Sequence, residues 1–232
     1  MTEPYREHKI YHNDGSFFHD VTLYPESSLE IVNMVVEIPQ YETAKMEISK
    51  ELPLNPIIYD LRNNKVRHVT YHAINAEKKG YPFIYGALPM TWESIIDIDG
   101  ITGKVGDNDP IDIFDISSVK SQVGDIRKVK ILGAFSMIDN DATDWKLIGI
   151  NVKDPNYDKY DDVTDLSTTI LDTLDDFLTN YKHVPNQFGT PKLINKLDAI
   201  ELVKQTHSHW KKLINNKEHL DSLHDDIRSI HV

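Results

Sequence analysis

The sequence predicts an α+β fold in which a β-rich stretch over about residues 31–152 is followed by two amphipathic helices. In the first stretch apolar residues come in short runs bounded by Gly, Pro, Asn and Asp, the punctuation of strands joined by turns. Spacing of three and four residues, the mark of a helix with one buried face, appears only beyond it. Short strands in series must bury an apolar face, so the sheet is expected to close into a barrel or fold into a sandwich, with the helices covering it.

The expected strands are Ile31–Ile38, Lys45–Ile48, Ile111–Ile116, Val129–Ile138 and Trp145–Val152, each rich in β-branched or aromatic residues. Leu166, Ile170, Leu174, Phe177 and Tyr181 form the first helical stripe, and Leu197, Ile200, Val203, His207, Trp210 and Ile214 form the second. Pro185 to Pro191 separates them, because proline blocks helix propagation. A weaker stripe, Leu220, Leu223, Ile227 and Ile230, falls in a charged tail. No repeat or linker divides the chain, so one domain over residues 1–232 is expected, with a core of about 18–214 and a tail of 215–232.

Composition bounds the function classes. A net charge of -12 opposes binding to nucleic acid or anionic lipid, both polyanionic, unless bound cations invert the local field. With 0 Cys there are no disulfides, thiolate nucleophiles, zinc ribbons or iron–sulfur clusters, which suits a reducing compartment. The polar amino terminus carries no apolar segment of signal length and no stretch approaches a membrane span, so a cytoplasmic protein is expected.

The chemistry concentrates in Gly106-Asp107-Asn108-Asp109-Pro110-Ile111-Asp112. At about 4 Å and an effective dielectric of about 20, each like-charge pair costs roughly 4 kcal/mol, a penalty that a divalent cation reverses. Asp107 and Asp109 share a face of an extended backbone, Pro110 can turn the chain to bring Asp112 back, and Gly106 permits a close approach. Oxygen-only ligands select Mg²⁺, Mn²⁺ or Ca²⁺. An acidic, solvated turn is the alternative for this segment taken alone.

Two further segments repeat the mixture. Asp139-Asn140-Asp141-Ala142-Thr143-Asp144 joins two β segments and runs into Trp145-Lys146, and alternation puts Asp144 and Lys146 on one face. Lys45 and Glu47 sit two apart in a β pattern, with Glu37 on the preceding strand. Carboxylates that hold ions beside cations that neutralise phosphate are what two-metal phosphoryl chemistry needs. Neither acidic loop has the Gly and Glu spacing of a helix–loop–helix calcium site, and Gly100-Ile101-Thr102-Gly103-Lys104 is too short for a phosphate-binding loop. His207-x-His209 diverges around a helix and reads as structural or surface.

Together these residues resemble the soluble inorganic pyrophosphatases. The Gly106–Asp112 segment is similar to the family's metal-binding signature in its eukaryotic form. In family order follow Val35–Pro39, Ala44–Ile48, Tyr81 with Tyr85–Glu93, Thr143–Lys146, Tyr181-Lys182 and Asn186–Phe188, so the likeness spans about residues 18–214. It implies an oligonucleotide-binding-like closed β-barrel flanked by two main helices, and Mg²⁺-dependent hydrolysis of pyrophosphate by direct attack of a water bridging two ions, with Mn²⁺ as substitute. It also implies metal ligation by Asp107, Asp112, Asp144, Asp139 and Glu47, with Asp109 acting on the water, supported by Glu37 and Tyr85. Lys45, Arg67, Tyr85, Lys146, Tyr181 and Lys182 would contact phosphate. Ala142 departs from the usual acid there, with Asp141 one residue earlier, which puts metal preference in that quarter in question.

A homodimer is the expected assembly, with Trp210 and the tail as candidate contacts. The rival functions are a non-catalytic subunit that kept the fold, and a two-metal hydrolase of another small phosphoanhydride.

Overall fold

The computed structural model describes residues 8–71, 79–181 and 192–215. In chain order the strands of its first half are β1 (Lys9–Ile10), β2 (Ile31–Ile38), β3 (Met46–Ile48), β4 (Ile57–Tyr59), β5 (Leu61–Arg62), β6 (Lys65–Val66) and β7 (Ile84–Ala87). Then come β8 (Asp112–Asp115), β9 (Ile126–Ser136), β10 (Ile138–Asp139), β11 (Ala142–Thr143), β12 (Lys146–Asn151), α1 (Thr168–Asn180), β13 (Lys192–Asn195) and α2 (Lys196–Asn215).

The choice between barrel and sandwich resolves as a barrel. Strands run in the order β12-β8-β7-β2-β9, and β9 pairs back onto β12 to close the ring. β9 can do this because it is 11 residues long: Ile126–Lys130 pairs with β2, the stretch from Val129 to Phe135 with β12, and its last residues with β13. Closure leaves none of the five ring strands with an unpaired edge, the usual solution for short strands with two buried faces. The β12–β8 pairing is parallel, which the long connection through β9 to β11 makes feasible.

Alternation sorts the side chains between two packing layers. Ile113, Ile131 and Leu147 join one apolar cluster with Ala199 and Val203 of α2. Their chain neighbours Phe114, Leu132 and Ile148 join another with Leu174 and Phe177 of α1. Both faces of these strands are therefore covered, which explains why β12 is buried at every residue.

Both expected helices form, at Thr168–Asn180 and Lys196–Asn215. Leu166 is buried but precedes α1, in a turn over Val163–Asp165 held by a capping box between Asp162 and Asp165. Asn195 caps α2 by accepting a hydrogen bond from the Asp198 N–H at 3.0 Å. Trp210 is buried within its own chain, its Nε1–H donating to His19 Nδ1 at 3.0 Å. His207 and His209 are likewise part of the packing on α2, His207 stacking on Trp210. The helical stripe from Leu220 to Ile230 and the Pro185–Pro191 break lie outside the described residues. Among the described residues no helix is long and apolar enough to cross a membrane.

One barrel strand, Ile84–Ala87, was not expected as a strand. Gly86 interrupts its apolar run, and the structure shows why glycine stands there: a Cβ at Gly86 would lie 1.9 Å from the Val35 carbonyl oxygen on β2.

Candidate functional site

The mouth of one cavity is built where β8 and β12 run side by side. Their parallel register sets Lys146 beside Asp112, and its ammonium bonds both the Asp112 and Asp144 carboxylates. Sequence alternation had placed Asp144 and Lys146 together; the strand pairing adds Asp112. Burial disfavours a charge on Lys146, yet Asp112 and then Asp144 hold it protonated well above the usual lysine range. Tyr85 stands against this pair, the Lys146 ammonium lying 5.7 Å from the centre of its ring.

The Gly106–Asp109 loop enters the same cavity from one side. It is clamped by backbone bonds, Gly106 N–H to Ser94 O at 2.7 Å, Asn108 N–H to Glu93 O at 3.1 Å and Glu93 N–H to Asp109 O at 2.8 Å. A Cβ on Gly106 would sit 2.3 Å from the Glu93 carbonyl carbon, so only glycine allows that approach. Asn108 takes a left-handed φ of 74°, a conformation asparagine tolerates, and its side-chain oxygen accepts from Trp92 Nε1–H at 2.9 Å. The Asp109 N–H donates to Asp107 Oδ1 at 3.0 Å, folding the segment so that Asp107, Asp109 and Asp112 line one cavity.

Asp139 reaches the cavity from the β10–β11 hairpin. Its two loop residues, Asn140 and Asp141, have φ of 48° and 68°, as a tight hairpin turn of matching twist requires. Asp141 is thereby turned outward, 82% exposed and 2.5 Å from Lys104, so it does not stand in for the acid missing at Ala142.

Opposite the carboxylates lie Lys45 and Arg67. Asp60 holds both, at 3.3 Å from Lys45 and 3.0 Å from Arg67. Glu47 accepts a hydrogen bond from Lys45 at 2.7 Å and is half-exposed beside it. Glu37 falls at an irregularity in the β2–β7 pairing, between Val36 and Ile38, a device that re-aims a side chain next to a site. It is buried, accepts from the Ile48 N–H at 2.7 Å, and its carboxyl is pushed well up by burial and then by Asp112. The remaining wall is aromatic. Tyr81, Phe114 and Tyr181 surround Phe177 of α1, with ring centres 4.8 to 5.7 Å from it, and Tyr85 packs on Tyr81 and Phe114. Burial raises the Tyr81, Tyr85 and Tyr181 hydroxyls above their ordinary range, so all three are neutral hydrogen-bond donors at neutral pH.

Lys182 lies outside the described residues. Three neighbours of the site were given no role by sequence reasoning. Lys50 pairs with Asp109 and donates to Asn108 O at 3.0 Å. Asp60 orients the two cations. Glu93 stands closest to the chemistry: a ligand oxygen from each of Glu93, Asp107 and Asp144 lies within 4.8 Å of the others. Glu93 and Asp107 are both raised well above ordinary carboxyl values, first by burial, then Glu93 by Asp107 and Asp107 by Asp144. Glu93 and Tyr81 could have been found from the Tyr81 to Glu93 segment that carried the resemblance; Asp60 and Lys50 sit in no motif and become legible only in space.

An all-carboxylate set of this kind fits a hard divalent cation, whose oxygen preference it satisfies and whose charge offsets the repulsion. The family model described as inorganic pyrophosphatase matches residues 34–211. The chain belongs to the inorganic pyrophosphatase family. It is 42% identical over 209 residues to the mouse (Mus musculus) inorganic pyrophosphatase, covering 86% of this chain and 70% of that protein. Among solved structures, the inorganic pyrophosphatase of Schistosoma japonicum superposes with a TM-score of 0.82 at 40% identity, over 88% of this chain and 75% of that one. A truncated vacuolar soluble pyrophosphatase of Trypanosoma cruzi, solved in complex with PPi, gives 0.78 at 32% identity over 87% and 80%.

Proposed function

We propose that this inorganic pyrophosphatase hydrolyses pyrophosphate with Mg²⁺, or Mn²⁺ in its place, held by Asp107, Asp112, Asp144, Asp139 and Glu47. What supports it is the convergence on one cavity of acidic side chains from two chain segments, 107–112 and 139–144, with Lys45, Arg67, Lys146 and a tyrosine wall. Bound cations would supply Lewis acidity there, lowering the pKa of water and neutralising phosphoryl oxygens. Asp109, supported by Glu37, orients the attacking water and accepts its proton. Oxygen attacks one phosphorus in line, the bridging P–O bond breaks, and its electron pair leaves with the second phosphate. Lys45 and Arg67, fixed by Asp60, together with Tyr85, Lys146 and Tyr181 and, on the unplaced segment, Lys182, take up that charge without a covalent intermediate. The enzyme is proposed to act as one domain over residues 1–232, as a homodimer in the cytoplasm.

Phosphate release from pyrophosphate, compared with ATP and tripolyphosphate at equal Mg²⁺, tests the substrate. Preference for pyrophosphate is expected, and no release from it would overturn the reading. Asp109→Asn is expected to lower kcat about 10²-fold or more with cation binding retained. A kcat equal to wild type would remove Asp109 from the mechanism.

A further inference from the structure

We propose that the Tyr71 hydroxyl and the Asp176 carboxylate form a tie that holds the Lys45–Arg67 wall of the cavity at a fixed distance from α1, and so sets the spacing across which the two phosphates are gripped. Tyr71 is thereby a positioning residue, and the inference rests on the reading that this cavity takes pyrophosphate.

The tie begins in the segment that carries Arg67. Residues 67–71 run extended beside residues 43–45, the Lys45 N–H donating to Arg67 O at 2.8 Å and the Val69 N–H to Thr43 O at 2.7 Å. Alternation puts Arg67, Val69 and Tyr71 on one face, and burial follows it: Val69 and Tyr71 are buried, whereas His68 and Thr70 are exposed. The Gly80 N–H closes the far end by donating to Tyr71 O at 2.9 Å. This backbone unit, which carries both cations, meets α1 through Tyr71 at two consecutive helix residues. The Tyr71 hydroxyl donates to Asp176 Oδ2, and the ring stands edge-on to Phe177, centres 5.1 Å apart at 87°. Phe177 in turn stacks on Tyr181 at 4.8 Å and 17°. Asp176 Oδ1 accepts from Asn180 Nδ2 at 2.7 Å, so one carboxylate both receives Tyr71 and braces the turn that ends at Tyr181. Lys45, Arg67, Phe177 and Tyr181 all line the cavity, while Tyr71 and Asp176 stand behind it. Burial and then Asp176 raise the Tyr71 phenol above its ordinary range, so the bond runs from a neutral donor to a charged acceptor, a strong combination. Ring packing tolerates small slides, whereas a hydrogen bond is directional; the hydroxyl therefore fixes how far α1 stands from Arg67.

Tyr71→Phe keeps the ring against Phe177 and removes the hydroxyl. Calorimetric titration of the full chain with a non-hydrolysable diphosphonate in saturating Mn²⁺ is expected to show about 3- to 10-fold weaker binding in the variant. Titration with Mn²⁺ alone is expected to match wild type, because none of the proposed metal ligands stands on residues 67–71 or on α1. In steady state the same factor should enter KM for pyrophosphate and not kcat. Asp176→Asn keeps an acceptor for the phenol and should retain the wild-type KM, whereas Asp176→Leu should reproduce Tyr71→Phe. Combining Asp176→Leu with Tyr71→Phe should add nothing further. Equal diphosphonate affinity in wild type and Tyr71→Phe overturns the tie. Losses that add in the double variant overturn it too, as does a parallel loss of Mn²⁺ affinity, which would mean a general loosening of the fold. A wild type that binds no diphosphonate overturns the reading of the cavity itself.

Discussion

Lys146→Met tests whether one ammonium carries the charge balance of the metal-free site. Lys146, Asp112 and Asp144 have side chains only 5%, 17% and 6% exposed, so water screens their interaction poorly. Removing one member of a buried ion pair costs about 3–5 kcal/mol, because the partner's charge is left uncompensated. Here one ammonium serves two carboxylates, which places the expectation at the upper part of that range. Methionine is close in volume, so the packing contribution is small. For a chain of this size each kcal/mol moves Tm by about 2–4 °C, giving a fall of roughly 8–20 °C for about 4–5 kcal/mol. The measurement is a thermal scan at pH 8 in EDTA, where carboxyl protonation offers the least relief. In saturating Mg²⁺ the deficit should shrink, since a divalent ion supplies positive charge to the same oxygens. Equal Tm values in EDTA would refute the charge-balance reasoning, and so would a deficit that Mg²⁺ leaves unchanged.

Three further outcomes are expected. Asp112→Ala should weaken Mn²⁺ binding at least about tenfold by calorimetry, and an unaltered affinity would count against Asp112 as a metal ligand. Burial raises the carboxyls of Glu37, Glu93, Asp107 and Asp112, so the folded metal-free chain binds protons more tightly than the unfolded one. Their contribution to stability is present at low pH and is lost as pH climbs from the unfolded carboxyl range, about 4, through the raised folded values. Cation binding needs the same groups deprotonated, so the gain in Tm on adding Mg²⁺ should widen between pH 5.5 and 8, and a pH-independent gain would contradict the assignment. Gly86→Ala, whose Cβ would meet the Val35 oxygen at 1.9 Å, should lose about 3 kcal/mol or more in urea unfolding; an unshifted midpoint would show that β2 and β7 can separate freely.

The fold was legible where pattern and packing agree. Ile31–Ile38 forms as a strand over the same bounds, and both helical stripes formed helices because most of each buried face is written locally, although Leu197 and Ile214 at the ends of the second stripe are exposed. Ile84–Ala87 was not legible, since Tyr85 and Gly86 are chosen for the site and for a backbone contact with β2 rather than for alternation. From the strand pattern alone barrel closure was one of two options, and the family resemblance implied the barrel. It depends on β9 meeting β2 with one end and β12 with the other, a long-range fact that no window of sequence contains. The site shows the same division. The Gly106–Asp112 segment advertises itself, and the structure gathers its three aspartates; Asp60 and Lys50 act through partners distant in sequence and carry no local signal.

Charge balance at the cavity then decides how an acidic chain can receive a polyanion. Among the described lining residues Asp107, Asp109, Asp112, Asp139 and Asp144 outnumber Lys45, Arg67 and Lys146, and those cations are already engaged by Asp60, Glu47, Asp112 and Asp144. Side chains alone therefore leave the pocket negative, in a protein whose net charge is -12. Two divalent ions would turn five carboxylates against three cations into a net positive cavity, and Lys146, no longer needed to balance Asp112 and Asp144, would be available to phosphate. Binding of substrate should then depend on cation concentration more steeply than a single ion would impose. A pyrophosphate affinity that rises no faster than the first power of free Mg²⁺, measured with a non-hydrolysable diphosphonate, would mean that one ion suffices and that the second set of carboxylates has another purpose.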